Sequence, residues 1–289
     1  MSRKKILVTG CNGQLGLSLR KLSEGFPCYE FTFTDRHNLD ITNENALRTL
    51  RNSFEAERFY AVLHFAAYTA VDKAESEEEL CRTINTEATK TIACLCEEFS
   101  AKLIFISTDF VFDGSQSIPY LPTDKTSPLS VYGMTKAQGE EAALTYCNRS
   151  LVIRTSWLYS EFGNNFVKTM RKLGNEREAL NVVFDQVGTP CYAEDLARAV
   201  LLCLEKNFNR RILHFSNEGV CSWYDFAKKI MALSGVDCMV RPIRSAEYPT
   251  AAARPSFSVL DKADIKQFLN IEIPYWEESL TKCIKILDK

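Results

Sequence analysis

Val8-Thr-Gly10-Cys-Asn-Gly13-Gln-Leu-Gly16 is the stretch that decides the fold. A short apolar run, Ile6-Leu7-Val8, ends in three glycines at intervals of three, and Leu17 to Leu22 then reads as a helix. The glycines permit a tight turn and the close approach of a pyrophosphate, while the helix start offers unpaired amides and the positive end of its dipole. Taken alone, such a turn is equally a plain strand-to-helix connection. Its surroundings decide the matter: Asp35 closes the next strand 19 residues after Gly16, about where a carboxylate meets the adenosine ribose hydroxyls of a dinucleotide. Arg36 beside it suits a 2′-phosphate, so NADH and NADPH both stay open. Gly10, Asn12, Gly13, Gln14, Leu15, Gly16, Asp35 and Arg36 are therefore expected to bind the cofactor.

Working outward, six short β-branched or aromatic runs alternate with helical patterns: Lys5–Val8, Tyr29–Thr34, Ala61–Phe65, Leu103–Ile106, Leu151–Arg154 and Leu213–Ser216. This alternation predicts an α/β protein with a Rossmann-type, doubly wound parallel sheet. Between the third and fourth runs, Leu80, Ile84, Ala88, Ile92, Leu95 and Phe99 recur at helical spacing, with Asp72 or Ser76 as the expected cap. Beyond about residue 160 the alternation degrades into loops such as Phe162-Gly-Asn-Asn165 and Glu247-Tyr-Pro-Thr250. The expected division is residues 1–160 with about 181–217 for the dinucleotide-binding unit, and about 161–180 with 218–289 for a smaller, discontinuous substrate lobe. A ligand cleft would run between them.

Composition excludes several classes. Lys and Arg total 35 against 37 Asp and Glu, and the net charge of -2 gives no basic field for a nucleic acid. Eleven cysteines, scattered and odd in number, fit neither a zinc spacing nor a disulfide framework. Met1 leads into strand residues without an export segment, and no apolar run reaches membrane-spanning length. A cytoplasmic protein acting away from membranes is expected.

The chemistry lies in two neighbouring stretches. Ser107-Thr108-Asp109 closes the fourth run, whose C-terminal edge faces the cofactor crevice, and Tyr132-Gly-Met-Thr-Lys136 follows. Tyr132 and Lys136 fall on one helix face, so a positive charge beside the phenol is expected to lower its pKa for proton transfer to a carbonyl. Thr108 would donate a hydrogen bond to the same oxygen. The spacing alone proves little, because Tyr224 and Lys228 repeat it. There Trp223, Phe226, Ala227 and Ile230 form a helix face, and a core tyrosine beside a solvated lysine is the expected outcome.

Several longer stretches occur in matching order: the glycine turn, Ala66-Ala-Tyr-Thr-Ala-Val-Asp-Lys-Ala-Glu75, Ser107-Thr-Asp-Phe-Val-Phe-Asp-Gly114, Tyr132-Gly-Met-Thr-Lys136, Arg154-Thr-Ser-Trp-Leu-Tyr159 and Arg254-Pro255. Together the chain resembles dTDP-4-dehydrorhamnose reductases, a family of extended short-chain dehydrogenases. The resemblance implies hydride transfer from NAD(P)H to the C4 ketone of a dTDP-sugar, with Tyr132 as proton donor and Lys136 bound to the nicotinamide ribose. It also implies that Asp40 and Ile41 flank the adenine and that Ala66, Ala67 and Tyr68 run beside the cofactor. Thr108, Asp109 and Trp157 would line the sugar site, and Asn165 and Arg254 would hold the nucleotide diphosphate. Asn85 would support the lysine, unless it is an ordinary helix-surface residue.

Two further readings share these features. Nucleotide-sugar epimerases and dehydratases use the same tyrosine and lysine but regenerate a retained oxidised cofactor. The regulatory subunit of methionine adenosyltransferase resembles the same family and works as a binding partner, although such a role has no need of Thr108, Tyr132 and Lys136 together. The resemblance leaves a homodimer open. Some family members are magnesium-dependent dimers that place a glutamate just after the glycine turn, where this chain has Leu17-Ser18; Glu194 alone matches another ligand. No structural magnesium is therefore expected. Activity should survive chelation, and loss with EDTA followed by recovery with magnesium would contradict this.

Overall fold

Inner strands of a parallel sheet are covered on both faces and so read as unbroken apolar runs. Every residue of Ala61–His64 and Ser150–Thr155 is accordingly buried. The computed structural model describes residues 3–289. Its centre is an all-parallel six-stranded sheet of β1 (Lys4–Thr9), β2 (Tyr29–Thr34), β3 (Ala61–His64), β4 (Lys102–Thr108), β5 (Ser150–Thr155) and β6 (Arg211–His214), in the order β6-β5-β4-β3-β1-β2. The six apolar runs of the sequence fall on these six strands. The order reverses between β1 and β3, which places a crevice beyond their C-terminal ends.

The helices are α1 (Gln14–Ser23), α2 (Glu44–Glu57), α3 (Val71–Ala74), α4 (Glu78–Arg82), α5 (Ala88–Glu98), α6 (Val131–Tyr146), α7 (Phe166–Glu176), α8 (Ala193–Cys203), α9 (Trp223–Ser234), α10 (Ala263–Leu269) and α11 (Trp276–Leu287). Leu19, Val200 and Ile265 bring α1, α8 and α10 onto one face of the sheet. Phe54, Ile92 and Ala143 bring α2, α5 and α6 onto the other. A separate core joins α7, α9 and α11 through Val167, Phe226, Ile230 and Leu280.

Three expectations change. Strand Ala179–Val183 pairs with Met239–Ile243, so residues 181–183 join the smaller lobe and the chain returns to the sheet only with α8. Conversely, Ile265, Leu269 and Ile273 belong to the sheet core, so α10 is not part of the smaller lobe despite its late position. Neither Asp72 nor Ser76 caps the helix after β3. Asp72 lies inside the first turn of α3, and Glu77 is the N-cap residue of α4, with no side-chain cap. Between α4 and α5, Thr83–Glu87 forms a turn of π-helix. Its extra residue shifts the helical phase, leaving Leu80 40% exposed while Asn85 is buried.

Two buried histidines link this core to pH. His64 lies between the hydroxyls of Thr9 at 2.7 Å and Thr89 at 3.2 Å, and His214 sits against the Tyr120 carbonyl at 3.1 Å. Burial, with Lys136 near one and Arg154 near the other, lowers both to about 3. Both are neutral when folded, whereas the unfolded chain protonates them below about 6.5. Stability is thus fully present above that pH and is lost as pH falls toward 3, each histidine contributing a slope of at most about 1.4 kcal/mol per pH unit. Asp109, raised by burial to about 6, works in the opposite direction between about 4 and 6, so the test compares variants. Denaturant melts at several pH values should show His214→Gln flattening the acid slope. An unchanged slope would contradict the assignment.

Candidate active site

The crevice is built by contact between two strand ends. Gly10 adopts φ +68°, and a Cβ there would lie 2.6 Å from Ala66 N. At Gly13 the nearest atom to a Cβ would be the Gly10 carbonyl oxygen at 3.3 Å, so protein packing alone nearly tolerates a side chain. No close packing requires glycine at position 13, and α1 begins after it with no side-chain cap on its amides. Asn12 Nδ2 donates to Asp35 Oδ2 at 2.5 Å, which ties the turn to the end of β2. The Arg36 side chain is 80% exposed and lies 3.6 Å from Asp40. Leu15 and Ile41 are buried, and the Asp40 carboxylate accepts from the Thr42 amide and hydroxyl. The Gln14 side chain is engaged by the segment before α7. Its Oε1 accepts from Ser160 and Asn165, both at 2.9 Å.

Thr108 ends β4, and α6 carries Tyr132 and Lys136 alongside it. Gly133 makes this packing possible, because a Cβ would lie 2.2 Å from the Phe110 carbonyl oxygen. Ser130 caps the helix by accepting from Gly133 N–H, and Glu75 accepts from Val131 N–H at 2.9 Å. Thr108 donates to Asp109 Oδ1 at 3.0 Å. Lys136 Nζ donates to the Ile106 carbonyl at 2.6 Å and lies 3.9 Å over the Phe105 ring.

Electrostatics here depart from the expectation. Burial pushes the Tyr132 phenol well up, against the Thr108 hydroxyl, which favours its phenolate. Burial also lowers Lys136 to about 7, against the carboxylate of Glu140. Desolvation disfavours both charged forms, and the lysine does not depress the tyrosine. Tyr132 is held as a neutral phenol.

Asn85 holds the two halves of the crevice together. Its Oδ1 accepts from Tyr68 N–H at 2.8 Å, and its Nδ2 donates to the Tyr68 carbonyl and Thr135 Oγ1, both at 3.2 Å. It is not a helix-surface residue. Ala66, Ala67 and Tyr68 are thereby fixed beside α6. The repeat at Tyr224 and Lys228 lies apart from this site: Phe226, Ala227 and Ile230 are buried in the smaller lobe and Lys228 is exposed.

A cavity of about 700 Å³ opens between the lobes, lined by Phe110, Trp157, Trp223, Arg177, Arg241 and Arg254 among others. Trp157 holds φ +46°, a left-handed conformation that costs about 1–3 kcal/mol in a non-glycine residue. Its indole stacks on Trp223 at 3.7 Å, so one of its faces is covered. Asn165 does not line the cavity. It caps α7 by accepting from Lys168 N–H, and its amide donates to Gln14, Ser160 and Phe162. Sequence reading put Trp223 on a core helix face and missed Arg177 and Arg241, whereas all three line the cavity, brought together by pairing between distant segments. Glu194 is engaged by Lys21 at 2.8 Å and Lys282 at 2.5 Å. Among the described residues, no three His, Cys, Asp or Glu side chains converge as metal ligands.

Known proteins resemble this chain over nearly its whole length. The family model described as RmlD substrate binding domain matches residues 4–289. The chain is 39% identical to dTDP-4-dehydrorhamnose reductase of Aggregatibacter actinomycetemcomitans, over 96% of this chain and 97% of that protein. It superposes with a TM-score of 0.93 and 41% identity on the crystal structure of a dTDP-4-dehydrorhamnose reductase from Clostridium acetobutylicum, covering 99% of this chain and 100% of the other. The dTDP-4-dehydrorhamnose reductase of Bacillus anthracis, solved in complex with NADP, gives 0.92 at 36% identity, with 98% and 99% covered.

The two glycines should separate in experiment. Gly10→Ala forces a backbone clash and should lower stability by roughly 1–3 kcal/mol or more. Gly13→Ala should leave the melting temperature near wild type while weakening dinucleotide binding on the order of tenfold or more. Calorimetric titration with NADPH checks this, and wild-type affinity in Gly13→Ala would refute the placement.

Proposed function

The chain belongs to the dTDP-4-dehydrorhamnose reductase family, and on that premise we propose how its own residues reduce the C4 ketone of dTDP-4-dehydro-L-rhamnose to dTDP-L-rhamnose. One observation carries the reading: the helix bearing Tyr132 and Lys136 packs beside Thr108, at the crevice edge formed by Gly10 and Ala66. NAD(P)H bound along that edge supplies the hydride.

Asp35 receives the adenosine ribose hydroxyls, and the exposed Arg36 guanidinium meets a 2′-phosphate when NADPH is the cofactor. Lys136 donates to the nicotinamide ribose and keeps its side chain beside Tyr132. Tyr132 gives its proton to the C4 oxygen. Its raised pKa suits this direction, because the group must remain protonated until the ketone oxygen gains negative charge and becomes the stronger base. Thr108 donates to the same oxygen after exchanging its bond to Asp109, which then accepts a sugar hydroxyl. The apolar wall of the cavity takes the nucleoside, and Arg254 takes the diphosphate, whose geometry a guanidinium matches. All these residues come from one chain. Its eleven unpaired cysteines suit the reducing cytoplasm.

Purified protein given dTDP-4-dehydro-L-rhamnose should oxidise NADH or NADPH in proportion to sugar consumed, whereas an epimerase or dehydratase would show no net consumption. Tyr132→Phe should lower kcat by roughly 10²- to 10⁴-fold with cofactor affinity retained. Near-normal turnover in that variant would place the proton donor elsewhere.

A further inference from the structure

Arg254 is gripped end-on by a single carboxylate. Its Nη1 donates to Asp72 Oδ1 at 3.1 Å and its Nη2 to Asp72 Oδ2 at 2.7 Å, while Nη1 also donates to the Ala252 carbonyl at 3.0 Å. A guanidinium has five N–H donors in a fixed fork. Nε–H and one Nη2–H, the side edge of that fork, have no protein acceptor among the described residues. Arg254 lines the cavity between the lobes, whereas Asp72 reaches it from α3, outside the lining.

The backbone around the arginine is fixed as well. The Ser256 hydroxyl donates to the Gly114 carbonyl at 3.0 Å, and the Ser256 carbonyl accepts from Val187 N–H at 2.8 Å. Gly114, at φ +79°, has no room for a Cβ, which would lie 2.6 Å from Ser256 N. Asp72 Oδ1 also accepts from Ala252 N–H at 3.1 Å, so one carboxylate orders both the loop and the side chain it carries. With side-chain exposures of 24% for Arg254 and 47% for Asp72, the pair adds little to stability. Its effect is on direction. An arginine already fixed in place loses less rotamer freedom when a ligand arrives.

We propose that Asp72 is a positioning residue: by holding the end of the Arg254 guanidinium, it presents the free Nε/Nη2 edge to the diphosphate of the sugar nucleotide. This rests on the reading above that Arg254 meets that diphosphate. A carboxylate on one edge and a phosphate on the other use the whole fork bidentately. Replacing Asp72 removes the preset orientation but no reacting group.

The test compares inhibition constants for dTDP and thymidine, together with KM and kcat, in the full-length protein. Asp72→Ala should raise KM and the dTDP constant about tenfold, with kcat within about twofold and the thymidine constant unchanged. Arg254→Ala should raise the dTDP constant by about 10- to 100-fold, and the double variant should be no worse than Arg254→Ala alone. Asp72→Asn, nearly the same in shape, carries the comparison if the alanine variant does not fold. An unchanged dTDP constant in the Asp72 variants beside a raised one in Arg254→Ala overturns this proposal and leaves the arginine reading intact. An unchanged constant in Arg254→Ala overturns both. Equal losses of dTDP and thymidine, or additive losses in the double variant, also overturn it.

Discussion

The buried amide of Asn85 is the joint on which the site depends. Its side chain satisfies both backbone groups of Tyr68 and reaches Thr135 on the helix that carries Tyr132 and Lys136. Without it, two half-buried backbone groups would lose their partners, each at a cost of up to about 1–3 kcal/mol. The segment after β3 and the helix that carries Tyr132 and Lys136 would then no longer share a fixed distance. The π-helical turn at Thr83–Glu87 accounts for this placement, since the extra residue rotates Asn85 inward and Leu80 outward.

Burial around that joint sets the protonation states. Tyr132 is held as a phenol, and Lys136 is brought to about 7, because charge is poorly solvated there. The familiar picture of a lysine drawing down a tyrosine suits the oxidative direction, in which the phenolate accepts a proton. In the reductive direction proposed for this chain, a phenol that keeps its proton until the C4 oxygen becomes basic is the better resting state. The lysine, anchored on the Ile106 carbonyl and the Phe105 ring, then serves to bind and orient.

Much of this was legible in the order of residues. The inner sheet strands were, because burial on both faces makes apolar runs of them, and the edge strand Tyr29–Thr34 was, through its aromatic and β-branched residues; Gly10 and Thr108 were, because their positions at strand ends define their surroundings. Pairing across long separations was not. Strand Ala179–Val183 finds Met239–Ile243, and Arg254 finds Asp72, through contacts that no local pattern announces. The π turn was also hidden, since a 3.6-residue period has no place for an inserted residue. Asn165 shows the converse: an asparagine just before a helical run is an N-cap signal. The resemblance drew it toward the substrate, while its side chain closes the junction between α7 and Gln14.

In the proposed reaction a hydride from the nicotinamide reaches the C4 ketone whose oxygen Tyr132 protonates, and isotope transfer tests that hydride delivery most directly. NADPH dideuterated at nicotinamide C4 would be incubated with dTDP-4-dehydro-L-rhamnose in ordinary water, and the sugar product read by NMR and mass spectrometry. The predicted product is dTDP-L-rhamnose with one deuterium at C4 for each cofactor oxidised. A product without deuterium, or turnover with no net oxidation of the cofactor, would contradict the account.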